Sequence, residues 1–141
     1  MLDASTVPVL DASELLAYLG NESGADVVAD AIAGGATISA VNLGEALSTL
    51  AARGSDPVDV ASDLTDRGLL DGAIAVEDFT TTDAIEVARL RPLTRSAGLS
   101  LADRACLALA HRLSTPVLTA DQAWTGLDLD VDVRPIRDPA K

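Results

Sequence analysis

Short apolar runs alternate along the chain with longer stretches in which apolar residues recur at helical spacing. The short runs are rich in β-branched residues, which favours strands, and the longer stretches favour amphipathic helices. The predicted strands span 7–11, 36–40, 73–76 and 116–120, with a fifth strand at the sheet edge at 131–136. The predicted helices span 13–18, 23–33, 41–52, 57–70, 80–90 and 101–113.

Strands that are separated by helices pair in parallel through right-handed crossovers. The pattern therefore predicts an α/β fold, a three-layer α/β/α sandwich with a mainly parallel sheet. A length of 141 residues, 48% of them hydrophobic, fits one domain over residues 1–141. The fifth helix is expected to end at Arg91-Pro92, because the residue before a proline avoids helical geometry.

Several function classes are disfavoured by what the sequence lacks. No apolar run approaches the roughly 18 residues that span a bilayer, and the first residues do not resemble a signal peptide, so we expect a soluble, cytoplasmic protein. Cys106 is the only cysteine and His111 the only histidine. An internal disulfide and a histidine-rich metal site are therefore excluded, and Cys106 is most simply a reduced core residue.

Two acids follow predicted strands at positions where ligands bind in open α/β sheets. Asp11 closes the first strand, and Asp121 comes two residues after Thr119 at the close of the fourth. Ligands of such sheets lie outside the carboxyl ends of the strands. If the two strands are neighbours, the like charges require a cation or a raised pKa. Each aspartate alone could instead cap the following structure.

Two further acids lie on helices. Asp103 shares a helical face with Leu99, Cys106 and other apolar residues, so we expect it to face the core. Ser100 and Asp103 also have the spacing of a capping box, which is the structural alternative. Glu45 lies opposite a leucine stripe and alone would be a surface residue. It becomes a candidate because its helix starts directly after the second strand, at the same sheet edge as Asp11.

Carboxylate ligands without histidine or cysteine clusters suit hard cations such as Mg²⁺ and Mn²⁺. Such ions activate water and stabilise a leaving oxygen, so the candidate chemistry is phosphodiester hydrolysis. The formal charge of −12 opposes binding to a polyanion, since that affinity normally comes from Lys and Arg. A local basic patch or a second subunit has to supply it. Arg89, Arg91 and Arg95 form the densest basic cluster, although cations near a helix C-terminus can equally serve the helix dipole.

Four segments together resemble the PIN-domain family, and in particular the VapC-type toxins of bacterial toxin–antitoxin pairs. These segments are VPVLDAS (7–13), SAVNLGEAL (39–47), GLSLADRACLALA (98–110) and TPVLTADQAW (115–124). The resemblance implies an endoribonuclease that depends on Mg²⁺ or Mn²⁺. It places Asp11, Glu45, Asp103 and Asp121 at the family's four acidic positions, with Asp11 and Asp103 as the main metal contacts.

The same resemblance implies partners. The substrate would be cellular RNA, such as a tRNA or a ribosomal RNA loop. The chain would form a homodimer and would be silenced by a cognate antitoxin whose C-terminal segment occupies the site, often through a basic side chain.

Two other function classes compete with a nuclease. A receiver-like signalling domain also groups acids at strand ends, but it requires a lysine near the site, and the only lysine is Lys141 in the tail. A PIN-like scaffold that binds RNA or a partner without cutting is the other. The presence of acids at all four positions argues against that scaffold.

Overall fold

The protein is described by a computed structural model that covers residues 7–137. Lys141, on which the receiver-like alternative depends, lies outside the described residues. The strands are β1 (Val9–Leu10), β2 (Ala36–Ser39), β3 (Ile74–Glu77), β4 (Val117–Thr119) and β5 (Val133–Pro135). The helices are α1 (Ala12–Leu19), α2 (Ala25–Ala33), α3 (Ala40–Ala52), α4 (Pro57–Asp66), α5 (Thr81–Thr94) and α6 (Leu101–Leu113).

All five strands form one parallel sheet in the order β3-β2-β1-β4-β5. The predicted α/β class and the edge position of the fifth strand are confirmed. β1 pairs with β2 on one side and with β4 on the other, through Val9, whose partners are Thr37 and Val117. The chain winds outward from β1 in both directions, so the topological switch lies between β1 and β4. A ligand crevice is expected at the carboxyl ends of these two strands.

The sheet separates two cores because side chains alternate across each strand. Leu10 and Leu118 point into the core formed with α1, α2, α3 and α4. Val9 and Val117 point into the opposite core, formed with α5, α6 and the buried Trp124. The architecture is therefore the predicted three-layer sandwich. No helix in the described part of the chain combines the length and apolar character that crossing a membrane requires.

Two predicted helix boundaries were wrong. α5 continues through Pro92 to Thr94, because Leu90 and Thr94 are buried on either side of the exposed proline. The Thr94 hydroxyl also donates to the Leu90 carbonyl (2.9 Å). Tertiary packing thus outweighs the local preference of the residue before the proline.

The helix predicted over 57–70 ends instead at Asp66. Gly68 adopts a left-handed φ of 78°, and the Leu69 N–H donates back to the Leu64 carbonyl (2.9 Å). This is the glycine-terminated end that helices commonly adopt. The turn brings Leu69 and Leu70 into the core.

Candidate active site

Asp11 lies at the junction of β1 and α1 and is 5% exposed. Its Oδ1 accepts hydrogen bonds from the backbone N–H groups of Ser13 (2.8 Å) and Glu14 (3.3 Å). The capping role considered from the sequence is therefore real. The geometry also leaves Asp11 at the predicted crevice, at the carboxyl end of the central strand.

Glu14 completes a capping box with Asp11 and is fully buried. The Asp11 N–H donates to Glu14 Oε1 (3.1 Å), while Oε2 has no well-formed hydrogen bond with the described residues. Burial, followed by the charge of Asp11 and a hydrogen bond between the two side chains, raises the pKa of Glu14 to about 10. Glu14 is therefore protonated at neutral pH and can donate to the Asp11 carboxylate.

Glu14 was not predicted from the sequence as part of the site. Glutamate favours helices and usually lies on the protein surface. Nothing in the neighbouring sequence indicates that other elements cover this side of α1. The D-x-x-E spacing after a strand is nevertheless a recognisable capping signature, and it could have pointed to a side chain turned back towards Asp11.

Burial raises the pKa of Asp11 as well. Hydrogen bonds from Glu14 and Ser13 act in the opposite direction, and the charge of Asp103 adds a smaller upward contribution. Asp11 and Asp103, which are far apart in sequence, therefore interact across the crevice. A cation between the two carboxylates would offset the repulsion between their negative charges.

Glu45 projects from α3 and is exposed, as expected for a side chain opposite the leucine stripe. Its pKa is nonetheless raised, first by partial burial and then by the charges of Asp103 and Asp11. The structure therefore brings Glu45 to the same crevice, which supports the argument from its position after β2.

Asn42 fastens α3 to α6 beside the acids. The side chain is fully buried, and Nδ2 donates to the Ala102 carbonyl (2.9 Å), directly before Asp103. Its Oδ1 has no partner among the described residues. Asn42 thus fixes the distance between the helices that carry Glu45 and Asp103. Asn42 was not predicted from the sequence as part of the site, because its contact with α6 joins residues that are distant along the chain.

Asp103 lies in the first turn of α6 and forms the predicted capping box with Ser100. Its Oδ2 accepts from the Ser100 N–H (2.9 Å), and its own N–H donates to the Ser100 hydroxyl (3.1 Å). The expectation that Asp103 faces the core was wrong, because the residue is only half-buried and its capping bonds are exposed. The acid at the floor of the crevice is Asp11, and Asp103 lies at its rim.

Cys106 lies beneath the acids in the core of α6 and is fully buried. Burial raises the pKa of its thiol well above the usual value, and the charges of Asp11, Glu14, Asp103 and Glu45 add to the effect. The buried, reduced role expected for Cys106 is confirmed. Because all four of these acids act on the same thiol, they lie close to one another.

Asp121 follows β4, which is the neighbour of β1 as the site argument required. It is exposed, and its Oδ1 accepts from the Ala123 N–H (2.9 Å), capping the 3-10 turn Gln122–Gly126. The Asp121 N–H donates to the Thr119 hydroxyl (2.9 Å). Asp121 therefore lies at the correct sheet edge, where its carboxylate caps a separate turn.

The donor set can be compared with the requirements of a metal ion. The acids provide oxygen donors, and burial raises the pKa values of Asp11 and Glu45, with a further upward contribution from neighbouring negative charges that a hard cation would neutralise. Within residues 7–137, however, no three His, Cys, Asp or Glu side chains already form a metal cage. The chemistry of the site therefore fits Mg²⁺ or Mn²⁺, whereas ligation requires rotation of exposed carboxylates.

Comparisons with known proteins agree with this fold. The family model of the PIN domain matches residues 9–128. Comparison with curated proteins found no significant match. A chain of the DNA-bound VapBC from Salmonella typhimurium superposes with a TM-score of 0.67 at 14% identity, over 94% of this chain and 99% of that one. A chain of FitAcB from Neisseria gonorrhoeae gives 0.59 at 19% identity, over 91% and 96%. At such identities the similarity establishes the fold.

Proposed function

Because the chain belongs to the PIN domain family, we propose that it is an endoribonuclease dependent on Mg²⁺ or Mn²⁺ and the toxic member of a toxin–antitoxin pair. One observation carries the proposal: Asp11, Glu45 and Asp103, from three separate elements, act on one another at the carboxyl end of the central strand. Family membership also displaces the receiver-like alternative.

The crevice is too negative to accept RNA without a counter-ion, because phosphodiesters are anionic. Asp11 and Asp103 would be the main metal ligands, with Glu45 and Asp121 completing the set. Bound ions of this kind activate a water molecule and stabilise the leaving oxygen. In the overall reaction the oxygen of water bonds to phosphorus, one P–O ester bond breaks, and the leaving oxygen takes up a proton, so the products end in a phosphomonoester and a hydroxyl group.

The remaining residues hold this set in place. The two N–H groups that bind Asp11 Oδ1, together with Glu14, fix the orientation of the Asp11 carboxylate. Protonated Glu14 adds no negative charge of its own to the floor of the crevice. Asn42 holds α3 against α6 and thereby keeps Glu45 near Asp103.

The proposed partners follow from the family. The structures that this fold resembles include a toxin–antitoxin complex from Klebsiella pneumoniae, at 14% identity and a TM-score of 0.62. We infer that a cognate antitoxin binds this chain and places a basic side chain among the acids, where the uncompensated charge would attract it. The substrate class is cellular RNA, with tRNA and ribosomal RNA loops as candidates, and the chain is expected to form a homodimer.

The nuclease proposal is tested by incubating the purified chain with labelled single-stranded RNA in Mg²⁺, in Mn²⁺ and in EDTA. We expect cleavage only with metal. Asp11→Asn should lower the rate by about 100-fold or more, since even changes outside the direct ligands of a metal cost about 10–100-fold. The matched control is Asp66→Asn, an exposed acid at the end of α4. Cleavage that is independent of metal, or equal in all three proteins, would contradict the proposal.

A further inference from the structure

A cleft of about 350 Å³ lies where α5 ends and α6 begins. Three arginines line it: Arg91, Arg95 and Arg104. Ser100 and Leu101, from the start of α6, form another part of its wall. We call this feature the arginine cleft.

No salt bridge among residues 7–137 neutralises the positive charge of the arginine cleft. Across residues 7–137, four of the nine arginines form salt bridges with acids. Of the other five, three line the cleft. In a chain with a net charge of −12, this concentration of unpaired cations is a local exception. It is the basic patch that the sequence argument required.

The membership of this patch differs from the cluster suggested by the sequence. Arg89 is bound to Glu86, with Nε donating to Oε1 (2.7 Å), so its charge is locally compensated. Arg104 takes its place. Arg104 lies on α6, whereas Arg91 is in the last turn of α5 and Arg95 directly follows that helix. The α5–α6 connection, with Gly98 in a left-handed conformation at φ 68°, brings the three together.

Arg104 is held in a defined orientation. The residue is 8% exposed, and Nη1 donates to the Val87 carbonyl on α5 (2.8 Å). Its guanidinium therefore loses little conformational freedom when an anion binds. Arginine forks suit phosphate oxygens, which accept parallel hydrogen bonds from one guanidinium.

The start of α6 adds a second attraction for anions. The backbone N–H groups of Leu101 and Ala102 donate no hydrogen bond within the described residues, and they lie at the positive end of the helix dipole. The cleft also borders the acidic crevice, because Ser100, which lines the cleft, donates through its N–H to Asp103 (2.9 Å).

We propose that the arginine cleft binds a backbone phosphate of the RNA strand, next to the phosphate that is cut at the acids. The inference rests on the proposed function, since it names how that same site holds its substrate. Backbone contacts position a nucleic acid without reading its sequence. The cleft would therefore supply affinity, and other features would select the RNA.

The test measures binding of a labelled single-stranded RNA pool of random sequence. The full chain carries Asp11→Asn to prevent cleavage, and Mg²⁺ is present at several salt concentrations. Arg91→Gln with Arg95→Gln is compared with Arg53→Gln with Arg67→Gln, a pair that removes the same charge from exposed positions at the ends of α3 and α4. Thermal unfolding checks that both pairs fold. Arg104 is left in place because of its structural bond to Val87.

We expect the cleft pair to lose about tenfold in affinity, and its salt slope to weaken by about 0.7 for each lost phosphate contact. The control pair should lose much less. The proposal is overturned if both pairs weaken equally, if the cleft pair keeps its affinity and salt slope, or if the parent protein does not bind the RNA. It is also overturned if the cleft pair loses only a protein partner, which would assign the cleft to an acidic segment of that partner.

Cleavage by the wild-type chain separates this inference from the nuclease proposal. RNA binding through the cleft without metal-dependent cleavage would leave the cleft assignment standing and remove the nuclease. Metal-dependent cleavage with unchanged RNA affinity in the cleft pair would support the nuclease and remove the cleft assignment.

Discussion

Asp11 and Glu14 hold each other through reciprocal hydrogen bonds: the Asp11 N–H donates to Glu14 Oε1 (3.1 Å), and the Glu14 N–H donates to Asp11 Oδ1 (3.3 Å). Both side chains are buried, so two carboxyl groups share one poorly solvated space. The pair can be accommodated because Glu14 keeps its proton. The candidate site is thus built on a protonated Glu14 beside the Asp11 carboxyl group.

Stability without metal should therefore fall as pH rises. Glu14 ionises near 4.5 when unfolded but near 10 in the folded protein, so between these values the folded state binds one more proton. The free energy of unfolding then decreases with pH. Glu14→Gln is neutral in both states and should remove this slope. Its free energy of unfolding should therefore rise relative to that of the wild type as pH increases.

Urea unfolding in EDTA, from about pH 6 to about pH 9, measures the effect. Glu22→Gln, an exposed loop variant, is the control and should follow the wild type. Parallel curves for wild type and Glu14→Gln would show that Glu14 is ionised in the folded protein.

The acids should differ in their importance for cleavage. Asp103→Asn removes a charge from the mutually interacting group and can still accept from the Ser100 N–H, so we expect loss of turnover with the fold retained. Asp121→Asn should cost less, because Asp121 is exposed and its carboxylate caps a separate 3-10 turn. Single-turnover cleavage rates at saturating Mg²⁺ give the ranking. A larger loss for Asp121→Asn than for Asp103→Asn would mean that binding of metal rearranges the site around β4.

Asn42 should matter for both stability and geometry. Asn42→Ala removes the bond to the Ala102 carbonyl, which keeps its partner within α6, so the cost should be the net value of one hydrogen bond, about 0.5–1.5 kcal/mol. Looser contact between α3 and α6 should also weaken metal binding, because Glu45 would be less well placed relative to Asp103. Ser48→Ala, at an exposed position of the same helix, is the control. Chemical denaturation and Mn²⁺ titration are the measurements, and an unaltered Mn²⁺ affinity would limit Asn42 to a structural role.

The ion pair between Arg112 and Asp83 should stabilise the packing of α5 on α6. Arg112 Nε donates to Asp83 Oδ1 (2.9 Å), and Asp83 is 2% exposed. Burial alone would raise the pKa of Asp83, but the bonds from Arg112 and Thr80 outweigh it and the pKa is lowered. Its stabilising contribution is therefore complete above the ordinary value of 3.8 and is lost as pH falls through the lowered one.

Arg112→Met leaves the Asp83 charge without its partner and should cost about 3 kcal/mol at neutral pH, the lower end for buried pairs because Arg112 is partly exposed. The loss should shrink in acid. Unfolding curves at neutral and acidic pH check this expectation, with Arg67→Met as the control for an exposed pair. A deficit that is the same at both pH values would assign the cost to packing.

Expression of this chain alone should inhibit growth, and a small antitoxin supplied beside it should relieve the inhibition and copurify. The reason is the uncompensated acidic crevice, which attracts a basic group of a partner. Growth after induction is compared among the wild type, Asp11→Asn and the wild type co-expressed with the neighbouring open reading frame. Equal growth at matched soluble protein would argue against a toxin and leave a non-toxic nuclease possible.

The sequence by itself determined the order and type of the elements and the parallel sheet. Helical and strand periodicities are local properties, and strands separated by helices leave few ways to pair. The bounds of α6 and the Ser100–Asp103 capping box were predicted as they are found. Asp11 at the end of β1 was also predictable, since the position of an acid after an apolar run is visible in the chain itself.

Only the tertiary structure decided which side chains are buried and which meet. Asp103 was expected to face the core but lies at the rim, whereas Glu14 is buried. Asn42 reaches α6, and Arg104 joins Arg91 and Arg95. Burial and electrostatic coupling depend on atoms contributed by residues distant in sequence, so local pattern cannot specify them. For the same reason α5 continues through Pro92, because the packing of Leu90 and Thr94 outweighs a local preference.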